Sequence, residues 1–150
     1  MEGSTHNFYA DILYVEDQPE DAELVGRALE KTNLKLSFLR LKDGHDALDY
    51  LFVRGKYEDR DPYKLPRLII LDIKVPKISG LEVLKLLRQN PKTRRIPVII
   101  FSSSDQPEDI HKAYEYGVSS YLVKPGKYSE MKNVIAQIVN YWLRLNVVNH

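Results

Sequence analysis

Leu68-Ile69-Ile70-Leu71-Asp72 is the stretch that decides the fold. Four aliphatic residues in a row that end in a carboxylate are typical of a strand buried on both faces. Three other short apolar runs are also predicted to be strands: Ile12-Leu13-Tyr14-Val15, Val98-Ile99-Ile100-Phe101 and Tyr121-Leu122-Val123. Strands buried on both faces occur in parallel sheets that are covered by helices on each side. The stretch therefore predicts an α/β protein.

Segments of helical period separate these runs. We predict helices over residues 19 to about 32, after an Asp43-Gly44 turn through Phe52, from Gly80 to Asn90-Pro91, from an Asp105/Glu108 cap to Gly117, and from about residue 129. A second strand is expected at 37–41, and residues 54–66 are expected to form an extended loop. Right-handed crossovers restrict a fivefold βα repeat to a doubly wound sheet. We predict a five-stranded parallel sheet with five helices.

Length and composition exclude several classes of protein. The 150 residues fit one domain, and a net charge of +1 gives no reason to expect nucleic acid. The absence of cysteine excludes disulfides and thiolate sites. Residues 1–10 do not resemble a secretory signal, and no apolar run is long enough for a bilayer. We expect a cytoplasmic protein that is not associated with a membrane.

Polar residues follow the buried runs at the ends where a parallel sheet binds its ligands. Glu16-Asp17, Asp72, Ser102 and Lys124-Pro125 each come directly after one run. Three carboxylates at one edge repel one another unless a cation compensates their charge. Mg²⁺ accepts a few carboxylates together with water and phosphate oxygens. The pattern therefore predicts a Mg²⁺ site beside a fixed lysine, suited to a phosphoryl group.

The ordered motifs resemble the receiver domains of two-component response regulators. They are Val15-Glu16-Asp17, Asp43-Gly44, Leu71-Asp72-Ile73-Lys74-Val75-Pro76 with Gly80, Ser102, and Tyr121-Leu122-Val123-Lys124-Pro125. The long loop before residue 68 and Tyr141-Trp142-Leu143 are similar to stand-alone receivers such as the cyanobacterial phytochrome response regulators. The resemblance implies a flavodoxin-like receiver fold with strand order 2-1-3-4-5. It also implies an N-terminal extension at 1–10, a receiver domain at 11–146 and a C-terminal tail at 147–150.

The resemblance also implies a site for phosphorylation. Asp72 would be the phosphoacceptor, and Glu16, Asp17, Asp72 and the backbone carbonyl of Lys74 would hold Mg²⁺. Lys124 would pair with the phosphoryl oxygens.

The same resemblance implies a conformational switch. Ser102 would hydrogen-bond the phosphoryl group, Tyr121 would change rotamer with it, and the Lys124–Pro125 bond would be cis. Three residues depart from the more frequent pattern: Glu16 for Asp, Ser102 for Thr, and Lys74 two positions after Asp72. The Lys74 side chain is expected either to alter the lifetime of the aspartyl phosphate or to be an ordinary solvated lysine.

The function implied is that of a single-domain response regulator without a DNA-binding output domain. Its phosphodonor would be a sensor histidine kinase, of the phytochrome type if the narrower resemblance holds. Its output would be a protein contact or transfer to a His-phosphotransfer partner. It would catalyse only its own phosphorylation and dephosphorylation. Monomer and homodimer both stay open, because the last helix also offers a dimer seam.

Three alternatives need separate consideration. An aspartyl phosphatase would need a second Asp two residues after Asp72, where Lys74 stands. A flavin-binding module would need a Gly- and hydroxyl-rich loop after the first strand, where Glu16-Asp17 stands. A receiver-like interaction module that works without phosphorylation is the remaining alternative.

Overall fold

The structure, a computed structural model, describes residues 9–32 and 34–148. Five parallel strands form one sheet in the order β2-β1-β3-β4-β5. The strands are β1 Ile12–Val15, β2 Phe38–Leu41, β3 Leu68–Leu71, β4 Val98–Ser102 and β5 Ser120–Val123. The helices that follow them are α1 Pro19–Glu30, α2 Gly44–Leu51, α3 Gly80–Gln89, α4 Pro107–Glu115 and α5 Tyr128–Asn140. The predicted fold class and strand order are confirmed.

Alternation along the strands divides the core into two layers. In β1, Leu13 and Val15 face α2, α3 and α4, whereas Ile12 and Tyr14 face α1 and α5. Both sets are buried, because helices cover both faces of a parallel sheet. The register pairs Val15 with Leu71 across β1 and β3, so the polar residues after these strands emerge side by side.

Local sequence explains where the helices begin. Ser79 accepts a hydrogen bond from the Glu82 backbone N–H at 3.3 Å, which confirms the predicted start of α3. The expected cap at Asp105 is wrong, because α4 begins at Pro107 with Gln106 before it. Proline suits the first helical position, where its missing N–H has no helical partner. Gly117 adopts the predicted left-handed conformation, with φ of 94°.

The segment before β3 is more ordered than the extended loop that we predicted. It contains a 3₁₀ turn, Gly55–Tyr57, and both Tyr57 and Arg60 are buried. The Arg60 guanidinium donates to the carbonyls of Tyr50 and Lys64. Arg60 therefore anchors the loop to the end of α2.

The end of the last helix also differs from a regular helical pattern. A π-helical turn, Tyr141–Leu145, follows α5, and the Asn146 N–H donates to the Tyr141 carbonyl. The wider turn shifts the phase of the side chains. Leu143 therefore packs against the core with Trp142, whereas Leu145 is exposed.

The described residues contain no cis peptide bond, so the Lys124–Pro125 bond is trans and the expected cis bond is wrong. Trans is the default isomer, since it is favoured even before proline.

Most of the predicted 1–10 extension and the end of the 147–150 tail lie outside the described residues. Within residues 9–32 and 34–148, no helix has the length and apolar character to cross a bilayer.

Candidate phosphoryl-acceptor site

The carboxyl ends of β1, β3 and β5 bring Glu16, Asp72 and Lys124 into direct contact. The Lys124 ammonium lies 2.7 Å from Asp72 Oδ2 and donates a short hydrogen bond to Glu16 Oε1. Glu16 and Asp72 are buried, and the Lys124 side chain is only 6% exposed. The lysine therefore neutralises part of the charge that two buried carboxylates would otherwise leave uncompensated.

Asp21 is a third carboxylate of this cluster, and the sequence analysis missed it. It lies in the first turn of α1, with Oδ2 2.8 Å from the Lys124 ammonium, and its side chain is 33% exposed. In the sequence it looks like an ordinary acid that complements the start of a helix. The only available signal was its place one turn after the Glu16-Asp17 pair.

The charges of the cluster shift the pKa values of its two buried carboxyls in opposite directions. Burial is the largest influence on Glu16 and raises its pKa to about 7, against the hydrogen bond from Lys124. Burial also acts to raise the pKa of Asp72, but the hydrogen bond and charge of Lys124 outweigh it and hold that pKa below its ordinary value. Two carboxylates that share one ammonium are expected to divide in this way. Asp72 is thus the group that stays ionised.

Lys124 is held firmly in its charged form. Burial acts to lower its pKa, but hydrogen bonds to Asp21, Asp72 and Glu16 outweigh it and raise that pKa above its ordinary value. The Tyr14 hydroxyl donates to Glu16 Oε1 at 3.1 Å from within the core. Burial, together with the Glu16 charge, raises the pKa of Tyr14, so this phenol stays a donor.

The loop between β3 and α3 fixes the main chain at Asp72. The Lys74 N–H donates to Asp72 Oδ1 at 3.2 Å, and the Gly80 N–H donates to the Ile73 carbonyl at 2.8 Å. A Cβ on Gly80 would lie 2.0 Å from the Asp72 carbonyl oxygen, and one on Gly44 would lie 1.9 Å from the Ile78 carbonyl oxygen. Glycine is therefore required at both positions for the close approach of backbones.

The carboxylates at this edge suit a hard divalent cation. Two of them, Glu16 and Asp72, are hydrogen-bonded to the Lys124 ammonium. The side chains of Glu16, Asp17 and Asp72 offer carboxylate oxygens, the type that Mg²⁺ prefers. Asp17 accepts from Gln18 Nε2 at 3.4 Å and does not join the contact with Lys124. Over the described part of the chain, no three Asp, Glu, His or Cys side chains are already spaced as metal ligands. The chemistry of the predicted metal set fits, and its geometry is not preformed.

Ser102 and Tyr121 meet at the loop that follows β4. Ser102 is buried, and its Oγ accepts from the Ser104 N–H at 3.2 Å. The Tyr121 hydroxyl donates to the Ser104 carbonyl at 2.8 Å. Ser104 therefore links the two predicted switch residues, and the sequence analysis did not identify it.

Lys74 lies beside Asp72 with an exposed side chain. Its backbone N–H is engaged with Asp72, so its position is fixed by the loop. The predicted effect of its side chain on the lifetime of an aspartyl phosphate stays a prediction.

These contacts describe a buried, ionised carboxylate, Asp72, in direct contact with an ammonium. Such a group can attack an electrophilic phosphorus, and the fixed cation can neutralise the oxygens that arrive with it. The arrangement is suited to phosphoryl transfer, which needs alignment and charge neutralisation more than acid–base chemistry.

Comparison with known proteins agrees with this geometry. The sequence model of the response regulator receiver domain matches residues 12–136. The response regulator Rcp1 of a Synechocystis species is 35% identical over 132 residues, which cover 88% of each chain.

Solved structures are similar over nearly the whole chain. The phosphorylated cyanobacterial phytochrome response regulator RcpA superposes with a TM-score of 0.88 at 30% identity, covering 95% of this chain and 100% of that one. The Mn²⁺-bound form of Rcp1 superposes with a TM-score of 0.85 at 33% identity, covering 93% and 98%. The fold, the matched sequence and these relatives show that the chain belongs to the response regulator receiver family, among receivers of the Rcp1 type.

Proposed function

We propose that this chain is a single-domain response regulator that accepts a phosphoryl group on Asp72 from a sensor histidine kinase. The observation that carries the proposal is the Lys124 ammonium, 2.7 Å from the buried and ionised Asp72. A carboxylate oxygen of Asp72 attacks phosphorus, the O–P bond forms, and the P–N bond of the phosphohistidine breaks. The electron pair of that bond stays on the imidazole nitrogen, which takes up a proton.

Lys124 provides the charge that receives the phosphoryl oxygens. Its ammonium already lies at Asp72, so it can turn toward the new oxygens without entering the site from solvent. Asp21 and Glu16 keep it charged until then. Phosphorylation adds about −1.5 to −2 units of charge, by analogy with other phosphorylated side chains, and this favours a shift of Lys124 from Glu16 toward the product.

A divalent cation has a defined set of ligands in this proposal. Glu16, Asp17, Asp72 and the backbone carbonyl of Lys74 would hold Mg²⁺. When bound, Mg²⁺ neutralises charge on the transferred group. The excess of carboxylates over ammonium at this edge supports the assignment, because three carboxylates contact a single lysine.

Ser102 and Tyr121 would report phosphorylation to the surface. Ser102 would donate a hydrogen bond to a phosphoryl oxygen, and Tyr121 would move with the loop that it contacts through Ser104. The added charge would then bias an equilibrium between two positions of that loop.

The partners follow from the family and from its similar members. A phytochrome-like kinase is the proposed donor, because Rcp1 and the phytochrome response regulator RcpA are similar to this chain. Output would pass to a downstream protein or a His-phosphotransfer partner, with a homodimer as one form of the signalling state. The receiver would span 11–146, between the 1–10 extension and the 147–150 tail. It would act in the cytoplasm and turn over no separate substrate.

The test is intact-mass spectrometry after incubation with acetyl phosphate, with and without Mg²⁺. A gain of one phosphoryl group that needs Mg²⁺ and is lost in Asp72→Asn is expected. Asp11→Asn, a substitution outside the cluster, serves as the control and should still be labelled. An unlabelled wild type, beside a labelled control receiver, would favour an interaction module that works without phosphorylation. Labelling that persists in Asp72→Asn would show that a residue other than Asp72 accepts the phosphoryl group.

A further inference from the structure

Ser104 lies at the centre of the loop between β4 and α4, and each of its polar groups is engaged. Its N–H donates to Ser102 Oγ at 3.2 Å, and its Oγ donates to Asp109 Oδ2 at 2.6 Å. Its carbonyl accepts from the Tyr121 hydroxyl at 2.8 Å. Ser104 itself is 8% exposed. The end of β4, the first turn of α4 and β5 are thus joined through one residue.

The contact between Ser104 and Asp109 is the strongest of these by its chemistry. Hydrogen bonds to an ionised carboxylate are shorter and about twice as strong as those between neutral groups. Ser104 Oγ also accepts from the Gln106 N–H at 3.3 Å, and Gln106 makes no side-chain cap of its own at the start of α4. The loop is therefore fastened to the helix mainly through the Ser104 hydroxyl.

Asp109 is a suitable anchor because its helix is held on the sheet. Ala113, one turn further along α4, is fully buried in the core. A neighbouring acid in the same turn has a different place: Glu108 pairs with Lys112 on the helix surface, with its side chain 79% exposed. Asp109 thus differs from Glu108 in its hydrogen bond to Ser104. Glu108 carries the same charge in the same helical turn but pairs with Lys112 instead.

We infer that Ser104 and Asp109 form a latch that sets the cost of moving Ser102 toward a phosphoryl group on Asp72. The inference rests on the proposed function and assigns Ser104 and Asp109 as positioning residues for it. Ser104 follows Ser102 by two residues and is bonded to its hydroxyl, so a displacement of Ser102 carries Ser104 along. That displacement stretches the bond to Asp109, which the helix holds in place. The latch therefore opposes the switch.

The experiment compares Ser104→Ala, Asp109→Ala and the double variant with wild type, and uses Glu108→Ala as the matched control. The first measurement is hydrogen–deuterium exchange of the amides of residues 102–106 in unphosphorylated protein without Mg²⁺. The second is the initial rate of phosphorylation by acetyl phosphate at saturating Mg²⁺, followed by intact mass.

Each single variant is expected to raise both the exchange rate and the phosphorylation rate about tenfold, the effect of losing one hydrogen bond to a charged group. Glu108→Ala should leave both within about twofold, as for other surface changes. Ser104→Ala also removes the acceptor of the Gln106 N–H, so its effect should be at least as large as that of Asp109→Ala. The double variant should not exceed Ser104→Ala, because that variant has already lost the contact with Asp109. Asp109→Asn keeps an acceptor without the charge, so it should give an intermediate rate and also serves if an alanine variant does not fold.

Two results would overturn the latch. One is that the exchange and phosphorylation rates of the Ser104 and Asp109 variants equal those of Glu108→Ala. The other is a slower phosphorylation rate in these variants, which would mean that the contact favours the switch. Failure of the proposed function is a separate outcome, because wild type itself would then stay unlabelled. In that case the exchange rates of residues 102–106 alone would decide whether the latch exists.

Discussion

Two buried cations, Lys124 and Arg60, are held in opposite ways. The Lys124 ammonium, with its side chain 6% exposed, contacts the carboxylates of Glu16, Asp21 and Asp72. The Arg60 guanidinium, in a residue 4% exposed, donates to the carbonyls of Tyr50 and Lys64 and lies 3.7 Å above the Tyr50 ring. One cation is therefore held by charges and the other by backbone dipoles and a ring.

The difference separates a site that can change from one that cannot. Carboxylates can be protonated, can bind a metal ion or can be phosphorylated, so the partners of Lys124 are exchangeable. Backbone carbonyls and an aromatic face keep their charge distribution under all these conditions. The planar fork of arginine also matches two separated acceptors, which the compact ammonium of lysine does not. Arg60 is thus expected to be a permanent anchor, and Lys124 to be part of the reaction.

Replacing Lys124 with Met should have the largest effect on stability. Removing one partner from a buried ion cluster costs about 4 kcal/mol, because the carboxylates are left uncompensated. Urea unfolding measures this loss, which should grow as the pH is raised, because removal of Lys124 takes away the hydrogen bond that lowers the pKa of Glu16. Mg²⁺ should restore more stability to this variant than to wild type, since it replaces the missing charge.

Lys132→Met is the control for this prediction, because Lys132 is exposed on α5. It should change the free energy of unfolding by less than about 0.5 kcal/mol. A Lys124→Met protein as stable as the control without Mg²⁺ would show that the cluster is held by something other than this ammonium.

Arg60→Met should cost about 2 to 3 kcal/mol, because the buried carbonyl of Tyr50 and the partly buried carbonyl of Lys64 lose their donor. In contrast with Lys124→Met, the loss should be the same with and without Mg²⁺. Arg60→Lys should recover only part of it, since one ammonium does not reproduce the fork. Urea unfolding with and without Mg²⁺ measures this loss of stability. If Mg²⁺ restored the stability of Arg60→Met, Arg60 and Lys124 would not differ in the way proposed.

Asp21→Asn should have the smallest effect, a loss of about 0.5 to 1 kcal/mol, because a partly exposed ion pair is screened by solvent. Glu20→Gln removes the same charge from the exposed side of the same turn and should change stability less. Thermal unfolding of the two variants at low ionic strength compares them. Equal losses of stability in the two variants would show that Asp21 contributes only as a negative charge at the start of α1. Glu16 and Asp72 would then be the only two partners of Lys124 that stabilise the cluster.

The sequence was a good guide wherever short-range patterns determine the outcome. Buried apolar runs placed β1, β3 and β4, and the Ser79–Glu82 spacing placed the start of α3. The two edge strands, β2 and β5, are only partly buried. The polar residues that follow the runs indicated Glu16, Asp72 and Lys124, because parallel strands end at one edge. These features depend on local periodicity and on a topology with few alternatives.

The contacts that were missed join distant parts of the chain or depend on side-chain direction. Asp21 reaches Lys124 across 103 positions, and Tyr121 reaches Ser104 across 17. Arg60 looks like one charge in a polar loop until the Tyr50 ring is placed beneath it. The π-helical turn after α5 also escaped detection, since one extra residue in a turn leaves no mark on the hydrophobic pattern.

The two glycine contacts beside Asp72 have a mechanical consequence. Gly80 and Gly44 bring the starts of two helices against the main chain of residues 72–78, so this side of the cleft cannot yield without moving whole helices. The opposite side ends in a loop that is fastened by the side chains of Asp109 and Tyr121. If phosphorylation of Asp72 displaces the surrounding main chain, we therefore expect the displacement at the loop after β4, toward β5 and α4, and not at residues 72–78.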